Sequence, residues 1–260
     1  MQISPIERFS SRVEAYIKYR PSYPLEIINY LKTEAGLSSD HIVADIGSGT
    51  GFLSKLFLDN GNAVFGVEPN NPMREAAEKW LSFCAKFRSI SGRAEKTSLD
   101  NDSIDFITAG QAFHWFEPEP TKKEFFRIAR EEAKLVLVWN RRNLEDDALQ
   151  IEYERILRNL APEYIKVNHK NIDDKKIVDF VEPSPLQKKS FDHFQLFDFE
   201  SLIGRLLSSS YCPDEESDSF KEIKRLLLKL FEKHEINGKV RFNYRADVYW
   251  AEIVKRQPVI

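Results

Sequence analysis

The stretch His41-Ile42-Val43-Ala44-Asp45-Ile46-Gly47-Ser48-Gly49-Thr50-Gly51-Phe52-Leu53 decides the fold. Its first six residues form a branched, apolar run suited to a buried strand, and glycines end that run at once. Apolar residues then recur at 52, 53, 56 and 57, a helical period that Gly61 closes. The chain therefore makes a strand, a tight turn and a helix over Phe52–Asn60. Glycines permit such a turn and let a ligand lie on bare backbone near the positive end of the helix. A dinucleotide fingerprint would place glycines at 47, 49 and 52. Position 52 is Phe52, so the third glycine comes one residue early, which disfavours a pyrophosphate site and a nicotinamide-dependent dehydrogenase.

Outward from this turn the same alternation continues. The sequence predicts strands at Ala63–Val67, Phe87–Ile90, Ile104–Ala109 and Lys134–Trp139, with helices at Leu25–Leu31, Asn71–Phe83 and Thr121–Arg130. Strands that alternate with helices imply βαβ units and a parallel sheet covered on both faces. The pattern changes after residue 140. Residues 141–186 are charged and helix-prone, 187–199 look extended, and Asp214–His234 carries Phe220, Ile223, Leu227 and Leu230 on one face. Val240–Ile253 suits a final strand. The simplest organisation is one domain over 1–260, with 1–24 as an N-terminal lid and 141–212 as a cap. Phe9, Tyr16, Tyr19 and Tyr23 give that lid large faces to lay over a ligand.

Composition removes whole classes of function. The 260 residues carry 38 Lys and Arg against 41 Asp and Glu, for a net charge of −3. A nucleic-acid binder normally shows a basic excess. No apolar run approaches the ~20 residues of a membrane span, and the first residues lack the apolar stretch of a signal peptide. Two cysteines, Cys84 and Cys212, and five scattered histidines suggest neither a disulfide framework nor a metal site. A cytoplasmic protein is expected, with no nucleic acid and no membrane span among its partners and an oligomeric state that composition does not reveal.

Glu68 ends the second predicted strand, 21 positions after Gly47. A carboxylate there can accept hydrogen bonds from both hydroxyls of a ribose across the strand ends. Asp45-Ile46-Gly47-Ser48-Gly49-Thr50-Gly51 together with Glu68 resembles the class I, Rossmann-like S-adenosylmethionine (SAM)-dependent methyltransferases. Gly92-Arg93-Ala94-Glu95, Ser103-Ile104-Asp105-Phe106 and Gln111-Ala112-Phe113-His114-Trp115-Phe116 extend the resemblance. Tyr16, Arg20-Pro21-Ser22-Tyr23-Pro24 and Tyr244-Arg245-Ala246-Asp247-Val248-Tyr249 are similar to the subgroup near trans-aconitate and ubiquinone-pathway methyltransferases.

That resemblance implies an α/β, Rossmann-like, mostly parallel seven-stranded sheet with helices on both faces and the last strand antiparallel. It implies SAM as cofactor, S-adenosylhomocysteine as its product and a small-molecule methyl acceptor. Gly47, Gly49 and Gly51 would cradle the methionine part, and Asp45 would orient its ammonium. Glu68 would hold the ribose, Pro69 and Met73 would lie against the adenine face, and Ala94 and Glu95 would meet its edge. Gln111 would line the methionine end, Tyr16 and Arg20 would contact the SAM carboxylate, and no metal is implied. His114 would act as a base or orient the acceptor, or else pack as a structural histidine beside Trp115. Methyl transfer from a sulfonium is an in-line displacement in which alignment and exclusion of water supply most of the effect. A SAM-binding protein without catalysis is the second reading.

Overall fold

The computed structural model describes residues 13–166 and 174–255. Phe9 and the rest of the expected lid before Val13 lie outside the described residues, as do His169 and residues 167–173 of the expected cap. In chain order the elements are α1 (Val13–Tyr19), α2 (Glu26–Glu34), β1 (Ile42–Ile46), α3 (Phe52–Asp59), β2 (Ala63–Val67), α4 (Asn71–Trp80), β3 (Phe87–Ile90) and β4 (Ile104–Gly110). They continue with α5 (Pro118–Ile128), β5 (Ala129–Arg142), α6 (Ala148–Leu160), α7 (Pro162–Lys166), α8 (Asp174–Val181) and β6 (Gln187–Phe197). The last are α9 (Phe199–Leu207), α10 (Asp218–His234) and β7 (Val240–Glu252).

The strands form one seven-stranded sheet in the order β3-β2-β1-β4-β5-β7-β6. The β1–β2, β1–β4, β2–β3 and β4–β5 pairs are parallel, and the last strands are antiparallel. The Rossmann-like architecture expected from the sequence is the one observed. Strand order reverses between β1 and β4, which opens a crevice at their carboxyl ends.

The described chain divides into two compact units: a first unit of 22–139, 174–191 and 246–255, and a second of 13–21, 140–166 and 192–245. In the first unit the two-residue period of the strands sorts side chains into two cores. Ala44, Ile107, Leu135, Leu137 and Tyr249 bury against Phe125 of α5 and Ile177 of α8. Their sequence neighbours Val43, Phe106, Val136, Val138 and Val248 bury against Ile27 and Leu31 of α2 and Leu56 and Phe57 of α3. The second unit has its own core, in which Phe220, Ile223, Leu227 and Leu230 of α10 pack with Tyr153, Leu157, Phe242 and Tyr244.

Several boundaries differ from the sequence expectation: α2 runs to Glu34 rather than Leu31, α5 ends at Ile128 rather than Arg130, β5 runs to Arg142 rather than Trp139, and α10 begins at Asp218 rather than Asp214. α4 stops at Trp80 rather than Phe83, because Phe83 is 69% exposed and offers a longer helix no burial. α5 begins at Pro118 rather than Thr121, with proline in its first turn, where the missing N–H costs nothing. β5 begins at Ala129 rather than Lys134, through an irregular register opposite Ile104 and Phe106 and a positive φ of 63° at Glu132. Its first residues, Ala129-Arg130-Glu131-Glu132-Ala133, have helical propensity, but burial of Ala129 and Ala133 draws them into the sheet.

Glu124 of α5 ties the loop before β4 to the rest of the first unit. It accepts hydrogen bonds from the Thr97 amide (2.7 Å) and hydroxyl (2.6 Å), and Arg127 forks onto it at 2.7 and 2.8 Å. Burial alone would raise its pKa, but Arg127 and Thr97 outweigh that and hold it at about 2. Glu124→Ala strands the Thr97 amide, and we expect a loss of about 1–3 kcal/mol, read from urea denaturation. Because the folded-state pKa is depressed, this contribution is full above the ordinary carboxylate range and is lost as pH falls toward 2. Acid titration of stability in the wild type should therefore be steeper than in the variant.

Candidate functional site

The glycine turn is built by backbone geometry and closed by a side chain from the next loop. The amides of Gly47 and Ser48 donate to the Val67 carbonyl at 2.8 and 3.1 Å, and the Gly51 amide donates to Ser48 at 2.9 Å. Gly47, Gly49 and Gly51 all have positive φ, at 68°, 56° and 87°, a region that side chains strain. The three differ in what a Cβ would meet. At Gly47 it would sit 2.6 Å from the Ala112 Cβ, and at Gly51 it would sit 2.7 Å from a Leu81 methyl. At Gly49 the nearest heavy atom is the Met73 sulfur at 3.8 Å. Gly47 and Gly51 are thus required by the protein's own packing, whereas Gly49 faces room. Thr50, buried between them, has a hydroxyl oxygen without a hydrogen-bond partner among the described residues.

Glu68 lies just past β2 and is 7% exposed. One of its oxygens accepts from the Gly49 amide at 2.9 Å and the other from the Asn70 amide at 2.8 Å. Burial raises its pKa, opposed by those two amides and by the nearby Arg74 charge. Asn70 caps α4, its side-chain oxygen accepting from the Met73 amide at 3.0 Å. Pro69 is half-buried and Met73 is buried in this first turn.

Asp45 sits in β1 opposite Thr108 of β4 and is fully buried. It accepts from the Ser54 hydroxyl at 2.7 Å and the Thr108 hydroxyl at 3.4 Å. Desolvation pushes its carboxyl up to about 6, with the hydroxyls of Ser54 and Thr108 and the Ser54 amide pulling down and the Glu68 charge pushing further up. Among the described residues no cation makes an ion pair with it.

Ala94 is buried in a tight turn in which Arg93 and Lys96 exchange backbone hydrogen bonds at 3.1 and 3.0 Å. The Glu95 carboxylate accepts from the Glu117 amide at the start of α5, at 3.0 Å. Gln111 follows β4 with φ of 59°, and its amide donates to Val138 at 2.9 Å. The contact of Ala112 with Gly47 sets this loop against the glycine turn. His114 is half-buried in a short 3-10 turn, Phe113–Trp115, its ring 4.6 Å from that of Trp115. Tyr23 crosses the end of β4, its hydroxyl 2.5 Å from where a Cβ on Gly110 would lie. Tyr16 and Arg20 belong to the second unit, where the Arg20 guanidinium lies 4.9 Å from the Tyr16 ring centre and donates to the Ser208 carbonyl at 2.9 Å.

Four residues at the turn carry no candidate role in the sequence: Thr50, Ser54, Asn70 and Thr108. Asn70 had a local signal, an asparagine two positions before Pro72 at a helix start. Ser54 and Thr108 had none, because each meets Asp45 only through helix placement and strand register. Among the described residues no three His, Cys, Asp or Glu side chains gather as a metal site.

Residues 44–137 match the family described as "Methyltransferase domain". An uncharacterized methyltransferase of Mycobacterium bovis is 36% identical over 135 residues, 52% of this chain and 53% of that protein. The chain thus spans about half the length of that relative. An uncharacterized methyltransferase of Schizosaccharomyces pombe is 23% identical over 95% of this chain and 97% of its own. Among solved structures, a SAM-dependent methyltransferase from Aquifex aeolicus shares the fold with a TM-score of 0.53 and 15% identity, over 97% of this chain and all of that one. The domain match falls on the strands and turns just described, and residues 44–137 are similar to methyltransferase domains.

Proposed function

We propose that the protein transfers a methyl group from SAM to a small-molecule acceptor. The observation that carries this reading is the glycine turn itself: a backbone cradle open only at Gly49, flanked by two buried carboxylates, Asp45 and Glu68. SAM would bring what these groups lack. Its ammonium suits Asp45, which has only hydroxyl and amide donors. Its ribose hydroxyls suit the lone pairs that remain on Glu68, since each carboxylate oxygen can accept more than one hydrogen bond. When bound, SAM supplies a methyl group already activated on a sulfonium.

The chain's own residues then hold and shield. The backbone at Gly47, Gly49 and Gly51 carries the methionine part, Pro69 and Met73 flank the adenine, Ala94 and Glu95 meet its edge, and Gln111 lines the methionine end. Tyr16 and Arg20 are assigned to the cofactor carboxylate, and His114 to the acceptor. Acceptor recognition falls to 1–24 and 141–212, the least patterned parts of the chain. The direct test is conversion of a metabolite pool with SAM, scored by a product heavier by one methylene. Folded protein that shows no calorimetric heat with SAM or S-adenosylhomocysteine would refute the reading.

Three outcomes follow for variants and pH. Gly49→Val should abolish SAM binding yet melt closer to wild type than Gly51→Val, because only the latter also collides with Leu81. Glu68→Ala removes charge-assisted hydrogen bonds worth about 1.5–3 kcal/mol, so SAM affinity should fall ten-fold or more. The same change strands the Gly49 and Asn70 amides, so its melting temperature should fall too.

Asp45 sets the pH dependence. Its folded pKa is raised, so the free protein holds this proton up to about pH 6, and the group's cost to stability appears as pH rises through that value. An ammonium beside it favours the ionised form. SAM binding should therefore release a proton and tighten from pH 5 to pH 7, seen as buffer-dependent heats in calorimetry. Heats independent of the buffer would remove Asp45 from the site.

A further inference from the structure

The second unit buries more positive charge than its described residues neutralise. Arg142 and Arg205 are largely shielded from solvent, with 12% of the Arg142 side chain and 7% of Arg205 exposed. Arg142 donates to Glu154 and to the Tyr164 hydroxyl, each at 2.5 Å, and lies 5.2 Å from the Tyr153 ring centre. Glu154 is also shared with the more exposed Arg158, at 2.9 Å. Arg205 donates to the Ser209 hydroxyl at 2.9 Å and the Tyr244 hydroxyl at 3.4 Å. Among the described residues neither Arg205 nor Arg20 has a carboxylate partner.

Of these three guanidiniums only Arg142 meets a carboxylate, Glu154, and that acid is divided with Arg158. Donors and acceptors around them are also unfilled: Nη1 of Arg142, Nε of Arg20 and the Tyr153 hydroxyl are buried without hydrogen-bond partners among the described residues. Tyr211 packs edge-on to Tyr164, ring centres 4.7 Å apart, and feels the charges of all three arginines. Burial would raise its pKa, but Arg142, Arg205 and Arg20 together hold it below the ordinary tyrosine value. A cluster that pulls on a tyrosine proton is short of anions. Guanidinium forks are matched by delocalised oxyanions, which accept two parallel hydrogen bonds from one arginine.

We propose that the second unit binds a small anion bearing carboxylate or phosphate oxygens at Arg142 and Arg205, beside Arg20, with the Tyr153 hydroxyl as a further donor. The burial of these groups restricts the ligand to a small molecule and excludes a flat macromolecular surface. The inference does not depend on the SAM contacts of Asp45, Gly49 and Glu68, which lie in the first unit; Arg142 and Arg205 fall within the segment assigned to acceptor recognition, and Arg20, assigned above to the cofactor carboxylate, only stands beside the anion.

The test is calorimetry on the full chain with sodium succinate and with inorganic phosphate, against sodium chloride at matched ionic strength. Saturable binding of either anion, absent with chloride, is the expected result, and the one that binds assigns the oxyanion. Arg205→Gln should weaken it ten-fold or more. Arg205→Lys, which keeps the charge but loses the fork, should weaken it with the fold intact. Arg225→Gln, on the exposed face of α10, should leave it unchanged.

SAM binding, measured on the same samples, should survive Arg205→Gln, so failure of this site and failure of the SAM reading are distinguishable. Absence of saturable binding to folded wild-type protein would overturn the proposal, as would equal affinity in a folded Arg205→Gln. A third contrary result is tyrosinate absorbance at neutral pH that Tyr211→Phe abolishes, without anion binding, because the cluster would then neutralise itself.

Discussion

The Glu68 carboxylate is the constraint on which the candidate site depends. Its two oxygens take the Gly49 and Asn70 amides, so the turn after β1 and the turn after β2 cannot move independently. From Asn70 the constraint passes along the chain: its side chain caps α4, the cap fixes Met73, and the Met73 sulfur lies beside the open face of Gly49. Arg74, one residue on, reaches back to the Glu68 carbonyl at 3.1 Å. One buried acid thus organises two loops and a helix start. Burying it costs solvation, and the aligned amides offset much of that cost because hydrogen bonds to a charged acceptor are stronger than neutral ones.

Asp45 is the other half of the arrangement and is balanced differently. Glu68 is held by amides, whereas Asp45 lies deeper, beneath the turn, and meets hydroxyls as well as the Ser54 amide near the start of α3. The positive end of that helix favours a negative charge, but full desolvation still pushes the carboxyl up to about 6. Two acids that repel each other are therefore held at the reversal of strand order, where open α/β sheets receive ligands. The fold keeps them there by register, since Asp45 pairs with Thr108 across the β1–β4 ladder.

Much of this was legible in the sequence because the signals were local. Ala63–Val67 and Phe87–Ile90 are short apolar runs bounded by breaking residues, and both strands have the expected limits. The buried face of α10 follows directly from the spacing of Phe220, Ile223, Leu227 and Leu230. The glycine turn was visible because three glycines between a strand and a helix have few other uses. What escaped depends on distant contacts. Ala129 and Arg130 read as the end of a helix until the pairing of β4 claims them, and Thr108 is an ordinary strand threonine until β1 is placed beside it. Arg20, Arg142 and Arg205 are separated by more than sixty residues at each step, so no window on the chain could bring them together.

The contact between Gly51 and Leu81 carries an evolutionary consequence. Gly51 caps α3 in the left-handed region, and the space its side chain would need is filled by the Leu81 methyl at the end of α4. The two positions are therefore epistatic. A larger residue at 51 is tolerable only after 81 has shrunk, and a smaller residue at 81 leaves a void unless 51 grows. Homologous chains should show this as paired substitution: glycine at 51 where 81 is bulky, alanine or asparagine at 51 only where 81 is small. Gly49 faces no such partner and should show no compensating neighbour at all.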